Sequence, residues 1–146
     1  MTPEQEAVLA QIVAALPQSA PAGWLRIVSR REGTVAEGPY SGSSVDVVVV
    51  QTPSGLEQQD YRDPEDLYWT VLDLMEDLAR SSSGGSVVLS LVVDRDGSSR
   101  VDLTEEAPKV LEGVRDESSS VPVHEYLERN RAELEELAAR LGAAGA

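Results

Sequence analysis

Asp94, Asp96, Ser98, Asp102 and Glu105 fall at positions 1, 3, 5, 9 and 12 of one stretch, with apolar Val101 at position 8. That is the oxygen spacing of a calcium-binding loop. Three features oppose that chemistry. Ser99 stands where such a loop needs glycine for its sharp bend. The preceding residues, VVLSLVV, have the composition of a strand rather than of a helix, and Pro108 interrupts any helix that would leave the loop. No second loop is present to pair with the first. A plain Asp-Gly hairpin turn explains the same residues, so no metal and no cofactor is expected.

The other chemistry-bearing residues are sparse. His124 is the single histidine, with no second ligand or base near it in sequence, so acid–base work would need a distant partner. There is no cysteine, which excludes disulfides, thiolate metal sites and a cysteine nucleophile. Neither a nucleophile elbow nor a phosphate-binding glycine motif occurs. The chain is not expected to be an enzyme. Basic residues are scattered, Arg30-Arg31 being the one short pair before the tail, so no nucleic-acid patch is expected.

What the chain does carry is acid. Twenty-six Asp and Glu oppose twelve Lys and Arg among 146 residues, a formal charge of −14. Solubility of a small domain needs only about 2–8 charges. Such a surface repels nucleic acid and anionic membrane and attracts basic partners. The length suits a single domain covering 1–146, and 41% apolar residues suffice for a core. With four Tyr, two Trp and no Phe, that core must be mostly aliphatic. The N-terminal MTPEQEAVLAQIVAALP is acidic rather than basic, unlike a signal peptide. No apolar run reaches the roughly 18 residues of a membrane span, so the expected location is cytoplasmic.

The elements that must position any site follow from periodicity and breakers. Thr2, Pro3 and Gln5 have the spacing of a capping box with proline at the first helical position. Val8, Leu9, Ile12, Val13 and Leu16 share one face of the helix that follows. Strands are expected at Trp24–Arg31 and Val45–Gln51, separated by a long turn marked by Gly33, Gly38, Pro39 and Gly42. The run Val47–Val50 suggests a central strand covered on both faces. After a turn at Thr52–Gly55, Leu56–Tyr61 reads as a polar edge strand. Asp63 is expected to cap a second helix that starts at Pro64 and runs to Arg80. Strands Val87–Val93 and Ser99–Leu103 then form a hairpin, with Val101 and Leu103 facing in. One short helix is expected near Ala107–Val114. Pro122–Leu141 reads as one long charged helix within a C-terminal segment, 122–146, that frays at its end. The order α-β-β-(β)-α-β-β-α argues an α+β fold: a mostly antiparallel sheet of four to five strands with helices packed on it.

On the second helix, Leu67, Val71, Leu74 and Leu78 fall within roughly 60° of one another and form a core stripe. Asp66, Asp73 and Asp77 share one flank within about 40°, with Glu76 a little further round and Trp69 beside it, far from the stripe. Two readings compete. Large aromatics are usually buried, which would tuck Trp69 under the Leu56–Tyr61 segment. Alternatively, Trp69 is a binding anchor amid carboxylates. If the helix is not the interface, Glu57 and Asp60 on the edge segment are the next candidates. On the last helix, Leu127, Leu134, Leu137 and Leu141 form a seam with Asn130 that serves either a homodimer or the chain's own sheet. Glu125–Arg129 and Glu136–Arg140 have the spacing of helical ion pairs.

Gly23-Trp24 after the opening helix, the strand VDVVVV, the helix DLYWTVLDLMEDLAR and the hairpin SLVVDRDGSSRVDL together resemble the YezG-like immunity proteins, antitoxins of polymorphic toxin systems. The likeness spans roughly residues 5 to 105; the chain departs from the family pattern in having few aromatics. The resemblance implies a non-catalytic cytoplasmic protein that neutralises a toxin, often a nuclease. Acidity fits this independently, because a nuclease is basic where it grips phosphates. The expected partner is thus a basic toxin domain, bound through Asp66, Trp69, Asp73, Glu76 and Asp77, by a monomer or weak homodimer. The rival reading is an acidic scaffold protein that dimerises through its last helix.

Overall fold

The computed structural model describes residues 1–145, with side chains through Gly142; the frayed terminus expected at Ala146 lies outside them. Five antiparallel strands form one sheet in the order β3-β2-β1-β4-β5. They are β1 (Trp24–Thr34), β2 (Ser41–Thr52), β3 (Gly55–Asp60), β4 (Ser86–Asp94) and β5 (Ser99–Thr104). The fold is α+β. Helix α1 (Pro3–Ala15) opens on the expected capping box: Gln5 N donates to Thr2 Oγ1 at 3.1 Å, and Thr2 N to Gln5 Oε1 at 2.9 Å.

The four valines of β2 show why the sheet has two covered faces. Side chains alternate along a strand. Val48 and Val50 pack with Leu16, Ile27, Tyr61 and Leu67 under α1 and α2 (Tyr68–Ser81). Val49 packs with Leu25, Leu127, Leu134 and Leu137, and Val47 with Val28 and Val123, beneath the C-terminal segment. The leucine seam is thus used within the chain: Leu134 and Leu137 are fully buried on β1 and β2. In the hairpin, Leu103 packs against the α1–α2 core, whereas Val101, on the same side, stays 41% exposed and lines an open groove with Leu9 and Val13 of α1.

Three expectations are corrected, each by a polar side chain whose partner is distant in sequence. Residues 122–141 do not form one helix. They are broken into α3 (Val121–His124), α4 (Tyr126–Arg129) and α5 (Arg131–Gly145). Gln58 of β3 enters the first break, donating to His124 O at 2.7 Å and accepting from Leu127 N at 2.9 Å. It replaces the helical ladder where the chain bends. At the second break, Asn130 Nδ2 donates to Tyr126 O at 2.9 Å. Of the two expected ion pairs here, Arg129 meets Glu125 at 3.1 Å and also Glu117 at 2.5 Å. Replacing Gln58 by Leu is expected to cost about 1–2 kcal/mol, since both backbone groups lose a partner. Hydrogen exchange should then show the Leu127 amide losing protection while α5 keeps its own.

The short helix near Ala107–Val114 is absent; the segment is a turn around the buried carboxylate of Glu32. Lys109 N donates to it at 3.1 Å, Val110 N at 3.0 Å and Leu111 N at 3.2 Å. Gly113, at φ 83°, ends the turn. Asp63 does not cap the second helix. Its carboxylate takes both arms of buried Arg31 at 2.7 Å. The chain stays extended at Pro64, makes a 3-10 turn over Glu65–Leu67, and α2 starts at Tyr68 with no side-chain cap.

Candidate protein-binding surface

Helix α2 is positioned by its inward stripe. Leu67, Leu74, Met75, Leu78 and Ala79 are buried, and Val71 packs beside them. Two residues from Val71 the helix has turned by about 200°, so Trp69 points outward. It is 68% exposed, and Tyr68 beside it is 57% exposed. The reading that tucked Trp69 under Leu56–Tyr61 therefore fails. The two rings meet edge to face, centroids 5.0 Å apart at 85°, an arrangement favoured by their quadrupoles. Each ring thereby limits the freedom of the other, which lowers the entropy lost when a partner covers them.

Carboxylates surround this pair. Asp66, in the 3-10 turn, and Asp73 and Asp77, on α2, are exposed; Glu76 is half-exposed, 3.6 Å from Arg80. Asp77 is not free to move: Gln5 Nε2 donates to it at 2.9 Å and to Ser81 Oγ at 3.2 Å. The capping box of α1 is thereby tied to α2. Between the helices lies a groove of about 380 Å³, in which Glu4 joins Asp73 and Asp77 over Val8 and Leu74. Glu4 and Tyr68 were not singled out by the sequence. Tyr68 was detectable, since it also lies off the core stripe; Glu4 was not, because only packing brings α1 to α2.

The other candidates do not join this surface. Glu57 pairs with Val50 and Asp60 with Val47. Those valines face opposite sides of the sheet, so the two acids do too. His124 is exposed at the end of α3. The Asp94–Glu105 stretch is a hairpin: Asp94 N bonds Ser98 O at 2.9 Å, Gly97 stands at φ 94°, and the Asp94 carboxylate is taken by Arg26 at 2.6 Å and 2.9 Å. Among the described residues, no group of three or more His, Cys, Asp or Glu is placed to hold a metal, and no helix is long and apolar enough to cross a membrane.

With this geometry, α2 presents an exposed aromatic pair in an acidic field. No known family model matches the chain, and no curated protein matches it in sequence.

Proposed function

We propose that the chain is a non-catalytic binding protein that captures a basic partner on the outward face of α2, as an immunity protein captures a toxin domain such as a nuclease. The carrying observation is the exposed Tyr68–Trp69 pair, bordered by Asp66, Asp73, Glu76 and Asp77. Trp is the residue most enriched among binding hot spots, and a charge of −14 would steer a basic partner and speed its association. The rival scaffold reading is disfavoured, because the leucine seam it requires is spent on Leu25 and Val49.

The test is a capture from the native host followed by variants. Trp69→Ala should weaken binding of the captured basic protein by about 2 kcal/mol, roughly thirtyfold, with an unchanged melting temperature. Asp73→Lys should slow association, most at low salt, since screening acts over about 8–10 Å at physiological ionic strength. Asp73 is a cleaner site than Asp77, which also holds Gln5. Native affinity in both Trp69→Ala and Asp73→Lys would remove α2 from the interface.

A further inference from the structure

The edge of β2 is only half occupied. β3 pairs with it from Val47 onward, and the last backbone contact on that side is Tyr61 N to Asp46 O at 3.0 Å. Ser41–Val45 continues beyond it, paired to β1 alone. In an antiparallel ladder alternate residues direct their N–H and C=O to the same edge. Asp46 uses its carbonyl on the β3 side, so Ser44 and Gly42 point their backbone groups the same way. Among the described residues no backbone group meets them there, and both residues are exposed. Unpaired edge groups of this kind are a template for an added strand.

A groove of about 310 Å³ lies directly above this stretch, between β2 and α2, walled by Tyr40, Tyr68, Leu72, Met75 and Asp63. Its floor is the cross-strand pair Gly33–Gly42, on which the Tyr40 ring rests. A Cβ at Gly42 would come within 2.4 Å of the Tyr40 hydroxyl, so a larger residue there would displace the ring from its present seat. At the groove's end the single cation Arg31 faces two carboxylates, Asp46 at 3.1 Å and Asp63 at 2.7 Å, which leaves one negative charge uncompensated. The Asp63 side chain remains 23% exposed. The outer edge of β5 is also unpaired, but β5 itself carries Arg100, and the groove beneath Tyr68 lies at the β2 edge.

We propose that Ser41–Val45 receives an extended segment of the basic partner as an added strand, with a lysine or arginine of that segment seated between Tyr40 and Tyr68 and reaching Asp63. This rests on the basic-partner reading and deepens it: Tyr68 of the aromatic pair on α2 becomes the upper wall of a strand-addition site, with Trp69 on the helix face beside it. Backbone bonds hold the segment, the groove selects its side chain, and the tyrosine faces favour a cation.

The test uses three synthetic probes: an alternating lysine–valine decapeptide, the same peptide N-methylated at every second residue, and a helical lysine–alanine peptide. On titration of the full chain with the first, the Gly42 and Ser44 amides should shift in NMR spectra and exchange more slowly. N-methylation should weaken binding about tenfold or more, because it removes the donors that face β2. Ser44→Pro should do the same without unfolding the sheet, since the Ser44 N–H points away from β1; the N-methylated probe reads the same contact on the unmodified protein. If the N-methylated peptide binds equally well, or only the helical peptide binds, and Trp69→Ala weakens that binding, strand addition is overturned and capture on α2 stands. If no probe binds, strand addition is overturned, and capture on α2 is decided separately by Trp69→Ala and Asp73→Lys with the captured protein.

Discussion

Replacing Glu32 by Gln is expected to lower the unfolding free energy by about 3 kcal/mol, because a buried carboxylate with charge-assisted bonds gives way to an amide. Glu32 is 1% exposed and accepts from three successive backbone N–H groups and from Arg30 at 2.9 Å. Burial alone would raise its pKa. The Val110, Leu111 and Lys109 N–H groups and Arg30 outweigh burial and hold it below the usual carboxylate value of 4.5. A carboxylate whose folded value is depressed stabilises the fold above its unfolded value, and that contribution is lost as pH falls through the folded value. Native Glu32 should therefore show a loss of protection at residues 109–111 below about pH 4.3, and Glu32→Gln should show the loss already at neutral pH. Hydrogen exchange at low protein concentration is the suitable measurement, since the isoelectric point is also near 4.3. Unchanged protection of residues 109–111 in Glu32→Gln would show that the segment holds itself.

Asp94→Ala should cost about 3 kcal/mol, because a buried guanidinium loses its main carboxylate partner and keeps only the half-exposed Glu133. Arg26 is 4% exposed and gives two bonds to Asp94; its third arm reaches Tyr126 at 3.0 Å and Glu133 at 2.9 Å. The Asp94 bond is the main reason its guanidinium is held above its ordinary range. If the loss comes from the under-paired cation, Arg26→Met added to Asp94→Ala should restore part of the stability. Chemical denaturation of the two variants measures both numbers. A calorimetric titration of the native chain with calcium should be silent; micromolar binding that disappears in Asp94→Ala would reinstate the cation loop.

The elements legible in the sequence are those written in local patterns. The capping box at Thr2 and Gln5, the valines Val47–Val50 and the Asp-Gly turn each encode their structure within a few residues, and all appear at about their expected positions. Gln58, Glu32 and Asp63 are different. Each is a polar residue whose partner lies 69, 77 or 32 residues away, and no periodicity reports such a bond. Those three residues break the last helix, replace a short one with a turn and delay the start of α2. The candidate surface divides the same way. That Trp69 and Asp73 leave the core stripe follows from helical geometry. Whether anything then covers them depends on the path of Leu56–Tyr61, which pairing with β2 draws away.

The two-faced sheet also sets an order of events during synthesis. Helix α1 and strands β1 to β5 leave the ribosome with α2, so one face can close as soon as β4 and β5 appear. The other face presents Leu25, Val28, Val47 and Val49 to solvent until Val123, Leu127, Leu134 and Leu137 emerge. Chains fold from the N-terminus as they are made, and a contiguous apolar face left open promotes association. A nascent chain of this protein is therefore most vulnerable late in translation, and a stop codon anywhere before Val123 would release a sheet with one bare side.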